Sequence, residues 1–211
     1  MSSSLINLGK RLCKARVKRG HKNRVFNKHC AFVSTKFKFS GKNNVIESND
    51  SIFYKCRFLI SGSNNKIIIG KGCKLKFVTF CIEGDNNIIK IGADCAFCGR
   101  SELSCLEGTK ITIGDKLLSS SDVFLRTGDS HSLYDMNGNR INQAKDIVIG
   151  NNVWLCQKAS LLKGSVIPNN CVVAYGSIVT KAFDKENSAI GGNPAKVIKE
   201  NIKWGAECPG L

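Results

Sequence analysis

One histidine stands apart in this 211-residue sequence. His21 and His29 fall in a strongly basic head, and His131 alone lies in the body, within the run Gly128-Asp129-Ser130-His131-Ser132. An imidazole titrates near neutrality, so it can take the proton of a hydroxyl at pH 7. Asp129 precedes it by two positions. On an extended chain both side chains project from one face, where the carboxylate would hold the imidazole tautomer. The same pair also reads as an ordinary turn, with Asp129 as its cap and His131 a plain loop histidine. Glu107 and Glu102 are further carboxylates that could support a base. Glu107 is expected at an inward position, where a charge needs a partner such as Arg100 or Arg126.

The eleven cysteines suggest a second chemistry. Only Cys95 and Cys98 form a CxxC, with Cys105 following and no histidine near, so a four-ligand zinc site is incomplete and no metal is expected. Leu5, Ile6 and Leu8 are cut off by Lys10 before they could form the core of a secretory leader. The thiols are therefore expected to be reduced, in a cytoplasmic protein. No apolar run approaches the ~18 residues of a membrane span.

The net charge is +16, from 32 basic and 16 acidic residues. Twelve of those net charges lie in residues 1–46, which hold no acid. Residues 1–40 thus read as a basic arm. Its Leu5, Leu8 and Leu12 could pack on the body, or its cations could follow an anionic glycan or the inner surface of a membrane. Sequence-specific nucleic-acid binding is the weaker expectation.

The elements that must hold these residues are set by a repeat. From Ile149 the chain divides into sixes: IGNNVW, LCQKAS, LLKGSV, IPNNCV, VAYGSI. First positions are Ile149, Leu155, Leu161, Ile167, Val173 and Val179; fifth positions are Val153, Ala159, Ser165, Cys171 and Ser177. A period of six suits a short strand on one side of a triangular coil followed by a corner. The first residue points inward and the fifth must be small. Three sides make an eighteen-residue turn, so Ile149 should stack under Ile167 and Leu155 under Val173, about 4.8 Å apart. Cys73, Cys95 and Cys171 fall at fifth positions and read as small core fillers. A looser echo, GKNNVI at 41, GSNNKIIIG at 62 and GDNNIIKIG at 84, carries the coil back to residue 41. The repeat fails at 131–146, HSLYDMNGNRINQAKD, where no first position is aliphatic. That excursion opens with His131, and loops on rigid scaffolds are where catalytic groups collect.

The run IGNNVWLCQKASLLKGSVIPNNCVVAYGSIVTK with the following GGNPAKVIK resembles the hexapeptide-repeat acyltransferases, which include galactoside, maltose and capsular or O-antigen polysaccharide O-acetyltransferases. The likeness is strongest over 113–199 and weaker over 41–112. It implies an all-β, left-handed parallel β-helix over 41–183 with the loop at 131–146; the basic arm at 1–40 has no counterpart in it, and 184–211 is expected as a tail with a short helix. It further implies transfer of an acetyl group from acetyl-CoA to a sugar hydroxyl in surface-polysaccharide biosynthesis, by direct attack with His131 as base and no metal. A histidine opening this loop is similar to the family's catalytic one, with Asp129 and Glu107 as supporting carboxylates. Some relatives carry an Asn about thirty residues upstream, where this chain reads Gly99-Arg100-Ser101-Glu102.

Trp154 should point outward at a corner, as interface packing or as a wall of the active-site groove; by resemblance it flanks donor or acceptor. Gln157, Tyr175, Thr180 and Lys181 match positions that touch the pantetheine arm, and Lys196 and Lys199 match basic residues near the nucleotide phosphates. A lone β-helix has no deep concavity, so a homotrimer with sites between neighbours is expected. Other acceptors (serine, an antibiotic or a sugar-nucleotide amine) stay open, as does a catalytically silent β-helix that binds an anionic partner.

Overall fold

The computed structural model describes residues 16–18 and 22–207. The apolar residues and cations expected to form the first part of the arm, Leu5 to Lys14, lie outside the described residues, as does His21. The described chain is a parallel β-solenoid with three faces. Face I stacks β1 (Arg16–Lys18), β4 (Lys36–Ser40), β7 (Arg57–Ser61), β10 (Val78–Glu83), β13 (Ser101–Leu106), β16 (Val123–Arg126), β19 (Ser160–Leu162) and β22 (Ile178–Val179). Face II stacks β2 (Arg24–Lys28), β5 (Val45–Asn49), β8 (Lys66–Ile69), β11 (Ile88–Ile91), β14 (Lys110–Ile113), β17 (Ile147–Ile149) and β20 (Val166–Ile167). Face III holds β3 (Ala31–Val33), β6 (Ile52–Tyr54), β9 (Lys74–Lys76), β12 (Ala96–Phe97), β15 (Leu118–Ser119), β18 (Trp154–Leu155), β21 (Val172–Val173), β23 (Ala189–Gly192) and β24 (Ala195–Lys199).

The hexad register is realised residue by residue. Ile149 pairs with Ile167, Leu155 with Val173 and Leu161 with Val179, each across one eighteen-residue coil. These first positions and the fifth positions Val153, Ala159, Ser165, Cys171 and Ser177 are all buried. Cys73, Cys95 and Cys171 are buried too. Their thiols point at carbonyls of the next stretch of chain, Gly92 at 3.2 Å, Gly114 at 3.3 Å and Lys185 at 3.4 Å.

Strands begin upstream of residue 41, inside what the sequence suggests is an arm. In β4 the run Lys36-Phe37-Lys38 alternates outward lysine with inward phenylalanine. Phe37, Phe58 and Phe80 then stack with ring centroids 4.7 and 4.6 Å apart. The cations mask the repeat because they occupy only the outward positions, and the core there is aromatic rather than aliphatic. No helix occurs among the described residues of the tail. β23 and β24 form an antiparallel hairpin instead, because Gly191-Gly192 and Pro194 favour a turn and Val197-Ile198 favour a strand.

The NN echo has its own physical cause. Asn23, Asn44, Asn65 and Asn87 stack as a buried amide ladder at the edge between faces I and II. The Asn44 side-chain carbonyl accepts from the backbone N–H and the side-chain amide of Asn65, both at 3.0 Å, and Asn65 accepts likewise from Asn87 at 2.8 and 3.1 Å. The ladder continues to Thr109, whose N–H donates to Asn87 at 3.2 Å and whose hydroxyl donates to Thr127 at 2.7 Å. Thr127 is the residue at which the loop leaves the coil, so the ladder runs up to the base of the loop.

Candidate active site

Ile111 pairs with Ile147, a step of 36 residues where later coils take 18. The surplus lies within the segment 127–146, which leaves at the edge between faces I and II. It is folded by its own polar groups. Asp135 Oδ1 accepts from the N–H groups of Asn137 and Asn139 at 2.9 and 2.8 Å, while Tyr134 and Arg140 bridge antiparallel. Asn137-Gly138 forms the tip, and Gly138 takes a φ of 82°, a backbone conformation that favours glycine.

His131 is exposed at the start of this loop. Its carbonyl is held by the Asn142 amide at 2.8 Å, and the same amide donates to Asp129 Oδ2 at 2.8 Å. Asp129 does not hold the imidazole, as its spacing suggests; it binds Lys163 Nζ at 2.5 Å and Asn142. The reason is backbone geometry: Ser130 has a φ of 66°, so the segment is not extended and Asp129 and His131 do not share a face. The Lys163 hydrogen bond, aided by Asn142, holds the Asp129 carboxyl below its ordinary range.

Glu107 is not inward either. Cys105 and Leu106 fill the core, while Glu107 turns out with a φ of 57° and is exposed. Arg140 binds it at 2.7 Å, which draws its pKa down, and its other oxygen accepts from the Ala144 N–H at 3.5 Å. Glu107 therefore clamps the far limb of the loop to the coil below. Its expected partners differ: Arg100 pairs with Asp122, and Arg126 donates to the Gly128 carbonyl at 2.9 Å, to buried Ser104 at 3.0 Å and to Ser130.

The remaining expected site residues fall on different parts of the prism. Thr180 and Lys181 share the edge of faces I and II with the loop, further along the coil, and the Lys181 ammonium lies 5.4 Å from the centre of the Phe183 ring. Gln157 and Tyr175 occupy the edge of faces III and I in successive coils, joined by the Gly176 N–H donating to the Gln157 carbonyl at 3.0 Å. Tyr175 is 62% exposed, with the Lys158 ammonium 5.6 Å from its ring centre. Lys196 and Lys199 stand exposed on β24 of face III. Trp154 lies half-buried on face III, its indole N–H donating to Ser120 at 3.3 Å. The described chain does not bring Trp154 to His131.

Sequence reasoning missed Asn142, Lys163 and Trp204. Asn142 is buried and joins Asp129 to His131, yet nothing marks it among the three asparagines of 131–146. Lys163 could have been noticed as a cation one coil above the loop. Trp204 packs on Trp154 with centroids 5.9 Å apart and donates to the Asn152 carbonyl at 2.9 Å, so the tail holds the outward indole. Cys95 and Cys98 do not converge, since Cys95 is buried and Cys98 exposed on opposite sides of the coil wall.

No family model matches the sequence. The chain is 35% identical over 187 residues to the polysialic acid O-acetyltransferase of Neisseria meningitidis, a match covering 78% of this chain and 87% of that protein. The chain belongs to the hexapeptide-repeat O-acetyltransferases. The crystal structure of the polySia-specific acetyltransferase NeuO matches this O-acetyltransferase with a TM-score of 0.83 and 32% identity over 92% of this chain and 88% of that one. That of the polysialic acid O-acetyltransferase OatWY gives 0.81 and 29% over 91% and 94%. The likeness to both extends through the coils upstream of residue 41.

Proposed function

We propose that this enzyme transfers the acetyl group of acetyl-CoA to a hydroxyl of an acidic capsular polysaccharide, with His131 as general base. The observation that carries the reading is an exposed histidine, held by its own carbonyl on a pinned loop, in a solenoid that matches two polysialic acid acetyltransferases over nine-tenths of its length. The acceptor hydroxyl gives its proton to the His131 imidazole and attacks the thioester carbonyl carbon. The C–S bond breaks, the proton returns to the leaving thiolate, and the products are an acetyl ester and a free thiol. Asp129, Asn142 and Lys163 fix the loop backbone under the base, and Glu107 with Arg140 fixes its far end.

The residues present fit the donor. Gln157, Tyr175 and Gly176 leave an open ledge, with nothing within 4 Å of where a Gly176 Cβ would stand, and Thr180, Lys181, Lys196 and Lys199 are exposed. A thin amide-bearing arm suits the ledge, and the lysines suit phosphates. The split of these groups over two edges and one face supports a homotrimer, in which His131 of one chain meets the Trp154 and Tyr175 side of a neighbour. The coil is read as left-handed and the enzyme as cytoplasmic.

The test is thiol release from acetyl-CoA with a panel of acidic and neutral glycans, serine and an aminoglycoside, together with sedimentation. Release with acidic polysaccharide from a trimer supports the reading. Release only with serine or the antibiotic overturns it.

A further inference from the structure

The edge between faces III and I carries a column of residues that the reaction above does not use. Ser34, Lys55, Phe77, Arg100 and Asp122 follow one another at the corner in successive coils, with Lys36 and Arg57 stacked beside them at the start of face I. Lys36, Lys55, Arg57 and Arg100 line one shallow hollow with Phe77, and no acid lines it. The next hollow up shares Arg57, Phe77 and Arg100 and adds Glu102 and Asp122; a third reaches Gln157. The three form one cleft that ends at a residue of the proposed donor ledge.

Two of the four cations, Lys55 and Arg100, are held in place, and three of the four lack a carboxylate partner among the described residues. Lys55 sits 5.2 Å from the Tyr54 ring centre and 5.6 Å from that of Phe77, and the two rings meet edge to face at 5.4 Å. Arg100 is fixed by Asp122 at 2.9 Å. Lys36, Lys55 and Arg57 have no carboxylate partner among the described residues. Phe77 is 40% exposed, and its φ of 58° is the turn conformation that this corner also takes at Ser34, Lys55 and Asp122, one that disfavours a bulky side chain. The corner sets that φ, so the feature to explain is an exposed aromatic placed there beside unpaired cations, and a binding surface explains it.

Spacing narrows the occupant. From Lys36 to the coil of Gln157 the cleft crosses five coil steps, roughly 24 Å at ~4.8 Å each. A single sugar or nucleotide fills one step. We infer that this corner cleft binds the stretch of an acidic polysaccharide chain that lies beyond the reacting unit, its carboxylates meeting Lys36, Lys55 and Arg57. The inference rests on the proposed acceptor class and extends it, because it makes the enzyme select long anionic chains over fragments.

The experiment uses the full chain and polysialic acid as the probe, with a sialic acid dimer, neutral dextran and a single-stranded oligonucleotide as comparators. Direct binding and acetyl transfer are measured for wild type, for Lys36→Ala/Lys55→Ala/Arg57→Ala, and for a control of equal charge loss elsewhere, Lys71→Ala/Lys90→Ala/Lys110→Ala. The corner variant should bind the polymer about tenfold more weakly and lose the preference for polymer over dimer by a similar factor, with an effect that shrinks as salt rises. Phe77→Gly should be at least as heat-stable as wild type and still bind polymer several-fold more weakly. Equal losses in the control variant, or unchanged polymer binding in the corner variant, overturn the cleft. So does oligonucleotide binding as tight as polymer binding. Charge-dependent polymer binding without acetyl transfer to any acidic glycan would sink the proposed activity and leave the cleft standing.

Discussion

The carboxylate of Asp129 lies 2.5 Å from the ammonium of Lys163, a residue 34 positions later and on the next coil. The same ammonium donates to the Asn142 carbonyl at 3.1 Å, and Asn142 in turn holds the Asp129 carboxylate and the His131 carbonyl. One cation therefore ties both limbs of the loop to the rigid coil. His131 is positioned through its backbone carbonyl, an arrangement that suits the base proposed above.

His131→Ala should fold as wild type, since an exposed loop side chain contributes little stability. Turnover with a verified acceptor should fall by about 10²–10⁴-fold, the usual contribution of a placed general base. Near wild-type turnover, measured by thiol release, would remove His131 from the mechanism.

The Asp129 anchor has a defined acid limit. Its folded pKa is lowered, mainly by the Lys163 hydrogen bond, so its stabilising contribution is present above the ordinary carboxylate pKa of about 3.9 and is lost as pH falls through the lower folded value. Protease resistance of the loop should therefore persist from pH 7 to pH 5. Lys163→Met should loosen the loop at pH 7, reduce turnover about tenfold by misplacing the base, and leave the β-rich circular dichroism spectrum unchanged. Equal loop protection in variant and wild type would refute the anchor.

Thiol reagents should separate the cysteines by burial. Burial pushes the Cys56 thiol up to about 11, so at pH 8 only about one in a thousand would be thiolate even before access is considered. Among the described cysteines Cys98 is exposed and should label first, while Cys56, Cys73, Cys95 and Cys171 label only on unfolding. Mass mapping after brief treatment checks the order, and early labelling of Cys73 or Cys95 would contradict the core assignment.

Asn65→Ala should be the costliest of the polar substitutions, at roughly 1–3 kcal/mol, because it removes the acceptor of the buried Asn87 backbone N–H and the side-chain donor to the Gly84 carbonyl. Denaturant melts measure this directly. Asn64→Ala, at the exposed neighbouring position, should change stability far less, within about 1 kcal/mol. Similar losses at the two positions would deny the ladder its structural weight.

The sequence by itself determined the coil from Ile149 onward. Every first and fifth position there is inward, and a six-residue period admits one side chain of each kind per face, so the register followed from residue type alone. It also determined where the coil fails, and so which histidine stands at an exposed loop. Tertiary structure decided the rest. Strands upstream of residue 41 were hidden because Lys36 and Lys38 are outward and the buried partner of the repeat is Phe37, which an aliphatic pattern does not register. The partners of Asp129 and Glu107 were set by residues far along the chain, Lys163 and Arg140, which meet them only because a coil returns to the same edge after each circuit. Trp154 and Trp204 meet for the same kind of reason, fifty residues apart in sequence and side by side once the tail folds back. Hydrophobic period is a local property of the chain; charge pairing across coils depends on how many residues each circuit consumes, and one circuit here takes 36.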